Sequence, residues 1–100
     1  MLKIKDDVDL KELERFGFKH WKTIWKENKN SKDINEWCYD LKFTDISKEV
    51  QVLLLQIDDE KRIIEEYIDQ EYEMYYIVKE TRLNILYDLI QAGLVEKVGE

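Results

Sequence analysis

The sequence predicts a single α+β domain: a mostly antiparallel sheet of about four to five strands, with a short N-terminal helix and a C-terminal helix. Three observations carry that expectation. The middle of the chain alternates apolar and polar residues with a period of two, most cleanly over Glu36–Phe43. Both ends instead carry apolar residues at helical spacing, each run closed by a glycine, Gly17 and Gly93. The chain has 100 residues, of which 44% are hydrophobic, enough for one core without disulfide or metal staples.

Taken in order, Leu2–Lys5 alternates like an edge strand. Asp9 then supplies an N-cap side chain, and Glu12 three residues on gives capping-box spacing. Val8, Leu10, Leu13 and Phe16 form an apolar stripe, so Leu10–Phe16 reads as a short helix stopped by Gly17. Phe18–Glu27 can align Phe18, Trp21, Trp25 and partly Ile24 as a helix, but it follows the Gly17 stop and is aromatic and β-branched, which favours a strand. Trp21, Thr23 and Trp25 then share one face, and Phe18, His20, Lys22, Ile24 and Lys26 the other. Asn28–Asn35 is polar and reads as a loop. In the strand Glu36–Phe43, Trp37, Tyr39, Leu41 and Phe43 face one way and Glu36, Cys38, Asp40 and Lys42 the other.

Thr44–Glu49 reads as a connection into a central hairpin. Its first strand, Val50–Ile57, is apolar on both faces, with Val50, Val52 and Leu54 on one and Leu53, Leu55 and Ile57 on the other. That pattern predicts cover on both sides. A tight acidic turn, Asp58–Lys61, leads to a second strand over Arg62–Ile68. Asp69–Lys79 fits both a strand and a helix. Thr81–Ala92 reads as a helix whose stripe is Leu83, Leu86, Tyr87 and Ile90, widened by Ile85 and Leu89. Gly93 followed by Leu94 has the form of a Schellman stop, and Leu94–Val98 is a short tail able to pair with an edge strand.

The net charge of −7 opposes nonspecific attraction to nucleic acid and to anionic membranes. No apolar run approaches the ~20 residues of a membrane span. The lone Cys38 and the absence of a signal-like start predict a reducing, cytoplasmic location.

Candidate chemistry is sparse, and no cofactor, metal or catalytic residue is assigned. His20 and Cys38 are single residues of their kinds, without a third orienting group. Eight acids between residues 58 and 73 lack the spacing of a calcium loop and read as a solvated turn and edge. Two surfaces are better candidates. Tyr67, Tyr72, Tyr75 and Tyr76, with Glu65 and Glu66, form a protein-binding candidate, since tyrosine offers apolar area and a hydrogen bond. Lys19, Trp21, Lys22, Trp25 and Lys26 interleave cations and stacking rings as single-stranded nucleic-acid binders do. A half-buried strand with both tryptophans in the core has the same pattern.

Three stretches, LKIKDDVDLKELERFGF, DDEKRII and LYDLIQAGLVEKV, together resemble small uncharacterised phage and prophage proteins of Gram-positive bacteria. That resemblance implies a phage setting and transfers no site residues. The ending NILYDLIQAGLVEKV is also similar to the helix-then-strand of winged-helix domains, whose recognition helix needs cations; here it offers Arg82 and Asp88. The expectation is a non-catalytic phage or prophage accessory protein acting through protein–protein contacts. Its partner is an unidentified phage or host protein, and homodimerisation through an open sheet edge is compatible with the pattern. Single-stranded nucleic-acid binding through residues 18–27 is the alternative.

Overall fold

The computed structural model describes residues 1–27 and 30–99, with side chains described for 1–22 and 35–99. In chain order the elements are β1 (Leu2–Ile4), a 3-10 helix (Leu10–Phe16), β2 (Lys19–Glu27), β3 (Asn30–Asp45), β4 (Lys48–Asp58), β5 (Ile64–Glu66), α1 (Tyr76–Gln91) and β6 (Val95–Lys97). Strands β2-β3-β4-β5 form one antiparallel sheet; β1 and β6 form a second antiparallel pair. The chain is α+β, as the two periodicities predict.

The N-terminal helix has the predicted bounds but 3-10 geometry. Asp9 caps it, accepting from the Lys11 backbone N–H at 3.0 Å. The capping box does not close, because Glu12 reaches forward to Arg15 instead. Gly17 ends the helix at φ 96°, and its N–H donates to the Glu14 carbonyl. A side chain at Gly17 would meet the Tyr39 ring, with a Cβ only 2.8 Å from Cε2.

The expected loop Asn28–Asn35 is overturned over its described part. Asn30–Asn35 belongs to β3, in register with β2 from Glu27↔Asn30 to Lys22↔Asn35. Polar residues are weak strand formers, but a long partner strand overrides that preference. The expected connection Thr44–Glu49 shrinks to Ile46 and Ser47, because Thr44↔Glu49 and Asp45↔Lys48 are themselves paired. Both turn residues have positive φ, 44° and 67°. That is the mirror-type hairpin turn whose twist suits the flanking strands. It holds an exposed isoleucine where glycine or asparagine is usual.

The double-faced pattern of β4 has a specific cause. Tyr39 pairs with Leu55, yet the next residue, Asp40, pairs with Leu53. Leu54 is the extra residue of a β-bulge. Before it, Val50 and Val52 oppose Phe43 and Leu41; after it, Leu55 and Ile57 oppose Tyr39 and Trp37. Opposed residues share a face, so the bulge changes the phase of β4 and puts all four on one side of the sheet. Val50, Val52, Leu54, Leu55 and Ile57 are all buried. The predicted cover on both faces is therefore corrected: one face is packed, and Gln51, Leu53 and Gln56 lie on the other.

The packed face meets Ile4, Leu13, Val78 and Leu89, from β1, the 3-10 helix and α1. Phe18 joins it, edge-on to Tyr39 at 5.6 Å. The acidic turn after β4 is a joint. Asp58 Oδ1 accepts from the Arg62 N–H. Arg62, at φ 62°, donates its guanidinium to the Lys5 and Val8 carbonyls at 2.7 Å each. Its own carbonyl accepts from Ile4 at 2.9 Å. The turn thereby holds the N-terminal segment against the sheet. The second hairpin strand is shorter than Arg62–Ile68, only Ile64–Glu66.

Candidate protein-binding surface

Helix α1 starts at Tyr76, five residues before the expected Thr81, and the segment ahead of it is a series of turns rather than a strand. Its C-terminus closes as expected. Gly93 sits at φ 75°, its N–H donates to the Ile90 carbonyl, and the Leu94 N–H donates to the Leu89 carbonyl at 3.2 Å. That Schellman stop turns the chain into β6, which pairs with β1.

The orientation of α1 corrects the expected stripe. Val78, Arg82 and Leu89 are buried, and Ile85 and Leu86 pack against the core. Leu83, Tyr87 and Ile90 face outward, exposed to 62%, 61% and 49%, and Tyr76 and Ile77 are exposed to 77% and 44%. The sequence YIVKETRLNILYDLIQ carries two apolar stripes, one more than a helix at the edge of a small core can bury. The choice between them follows from Arg82. Its guanidinium forms a two-pronged ion pair with Glu73 and donates to the Tyr67 carbonyl at 3.3 Å. With Arg82 buried and satisfied, Val78 four residues before it, Ile85 three after and Leu89 seven after share its face and turn inward. The Arg82 guanidinium holds the Glu73 carboxyl below its ordinary value of 4.5.

The predicted tyrosine and acid surface divides between several places. Tyr72 and Tyr75 are half-buried in a ring cluster with Phe43, at centroid distances of 5.6–6.1 Å. The Tyr75 hydroxyl donates to Asp45 Oδ2 at 2.7 Å, which pushes its pKa up. These two anchor the approach to α1. Tyr76 belongs to the outward stripe. Glu65 and Glu66 are exposed on edge strand β5, and Tyr67 follows them, its pKa raised by partial burial and then by Glu65. Sequence reasoning missed Leu83, Tyr87 and Ile90 as surface residues; the surplus of apolar positions in α1 was the available signal.

The lysine and tryptophan set lies on edge strand β2. Trp21 pairs with Glu36 and Lys19 with Cys38, so both lie on the unpacked face. Trp21 is 64% exposed, contrary to a core role for it. Glu36 stands directly across from Trp21, while Asp40 and Lys42 lie further along β3 on the side of Lys19. Lys22 is on the opposite face, with His20. The side chains of Trp25 and Lys26 lie outside the described residues.

His20 pairs with Trp37, the neighbour of Cys38, so His20 and Cys38 point to opposite faces and form no dyad. His20 packs against Trp37 in a tilted arrangement, centroids 4.9 Å apart, and its Nε2 lies 3.3 Å from Asp59 Oδ2. The Cys38 thiol is pushed up to about 11 by burial and by Glu36 and Asp40. It is therefore a neutral thiol, not a nucleophile, near neutral pH.

Among the described residues, no three histidines, cysteines or acids converge as a metal site. The winged-helix similarity does not extend to chemistry, because Arg82 is buried against Glu73. Among the described residues, no helix is long and apolar enough to cross a membrane. No family model, curated protein or solved structure matches the chain.

Proposed function

We propose that this is a non-catalytic protein that works by binding protein, and that the outward stripe of α1 is its contact surface. The observation that carries the reading is the stripe itself. Tyr76, Leu83, Tyr87 and Ile90 lie along one side of one helix, roughly 80–140° around it from Arg82 and turned away from the residues that hold it to the core. Large exposed apolar patches on small domains mark interaction sites, and a helix face with anchors at these spacings is a recurrent way to fill a groove. Tyrosine is also among the residues that most often dominate binding energy. The resemblance to phage and prophage proteins supplies the setting, an accessory role in an infected or lysogenic cell.

The test is binding between purified components. Tagged chain captures its partner, the partner is identified and produced alone, and the dissociation constant is measured for wild type, Leu83→Glu and Trp21→Ala. Leu83→Glu is expected to weaken binding by at least about 30-fold, equivalent to ~2 kcal/mol, with Trp21→Ala close to wild type. A partner held equally well by Leu83→Glu would place the contact elsewhere.

A further inference from the structure

We infer that the occupant of the α1 stripe is a second copy of this chain, docked antiparallel about a two-fold axis at Leu83. This rests on the reading of the stripe as a contact surface and adds the identity of the partner. The spacing is that of a helix–helix seam. Tyr76, Leu83 and Ile90 recur every seven residues, and Glu80 and Tyr87 fall between them at intervals of four and three.

The stripe is self-complementary when one helix is reversed. A two-fold axis at Leu83 brings Leu83 against itself and Tyr76 against Ile90 of the other copy. Glu80 lies three residues before Leu83 and Tyr87 four after it, so they come nearly level. At 100° per residue both also lie on the same flank of the stripe. The Tyr87 hydroxyl of each copy can then donate to the Glu80 carboxylate of the other. Parallel pairing would instead bring the two Glu80 side chains level, with like charges opposed.

Charge and area agree with this occupant. The net charge of −7 opposes self-association in general, but eight of the acids lie between residues 58 and 73, ahead of the helix. The stripe holds one acid, Glu80, with Lys79 beside it, and so offers little to select a strongly charged partner. The exposed parts of Tyr76, Leu83, Tyr87 and Ile90 amount to roughly 550 Å² per copy, or about 1,100 Å² for a pair. That clears the ~1,000 Å² a specific interface needs and fits a weak dimer at the low end of the size range.

The experiment is sedimentation equilibrium of the full chain from about 1 to 500 µM, combined with cysteine cross-linking. The mass is expected to rise with concentration towards twice the 12.2 kDa of one chain. Leu83→Glu should remain at the monomer mass with an unchanged circular dichroism spectrum. In a Cys38→Ser chain, Leu83→Cys should oxidise to a covalent dimer, whereas Tyr76→Cys should do so only when mixed with Ile90→Cys. The cross-link needs no introduced charge, so it stands as evidence even if Leu83→Glu fails to fold. A monomer at every concentration, a dimer indifferent to Leu83→Glu, or self-linking of Tyr76→Cys alone would overturn the inference. A monomer that binds a different protein through Leu83 would overturn it too, while leaving the proposed function standing.

Discussion

Glu73→Ala should destabilise the fold by about 2–3 kcal/mol. Arg82 is buried, with only 6% of its surface exposed, and Glu73 neutralises it. Removing one partner of a buried pair costs about 3–5 kcal/mol, because the other charge is left without compensation. The figure is reduced here because the Glu73 side chain is 21% exposed and water reaches it. Arg82→Met in the same chain should recover most of the loss, since an apolar side chain of similar length needs no counter-charge. The pH dependence has a definite sign. Glu73 titrates below its ordinary 4.5 when folded. Its contribution is thus complete above that value and disappears as pH falls through the lower, folded one. Urea unfolding at neutral pH and at successively lower pH checks both points. Glu73→Gln should be less stable than wild type at neutral pH, with the gap closing in acid.

Gly17→Ala should cost about 2–3 kcal/mol, for two separate reasons. At φ 96° a side chain strains the backbone, at about 1 kcal/mol or more. The added methyl would also stand 2.8 Å from the Tyr39 ring. That ring is held edge-on by Phe18 and belongs to the packed face, so it has little room to give. Thermal unfolding should show a clearly lowered midpoint, and Tyr39→Leu in the same chain should recover part of it by removing the ring. An unchanged midpoint would mean that the ring and the turn adjust freely.

Elements with one dominant signal were legible in the sequence. The N-terminal helix is bounded by Asp9 and Gly17, and the helix stop at Gly93 and Leu94 reads directly because glycine is the residue that takes the left-handed position there. The face of β3 holding Trp37, Tyr39, Leu41 and Phe43 is equally plain, because those positions alternate without a break. The errors occurred where two patterns overlap. In β4 a single extra residue, Leu54, makes a one-faced strand look two-faced. Asn30–Asn35 lacks any strand signal of its own and is extended because β2 pairs with it. In α1 two stripes compete, and the burial of Arg82 decides between them. No local pattern reveals that, since arginine in a helix is ordinarily read as exposed. The candidate surface was therefore only partly visible: Tyr76 belongs to it, whereas Tyr72 and Tyr75 support the fold.

The orientation of α1 underlies both the proposed function and the proposed dimer. It is tested most directly by comparing urea unfolding of Leu83→Ala and Leu89→Ala at about 1 µM, dilute enough to limit self-association. Leu89 is fully buried, so its truncation should cost about 3 kcal/mol. Leu83 is 62% exposed, so its truncation should change stability by less than about 0.5 kcal/mol. Equal losses, or a larger loss at Leu83, would mean that the stripe faces the core and would contradict the surface described above.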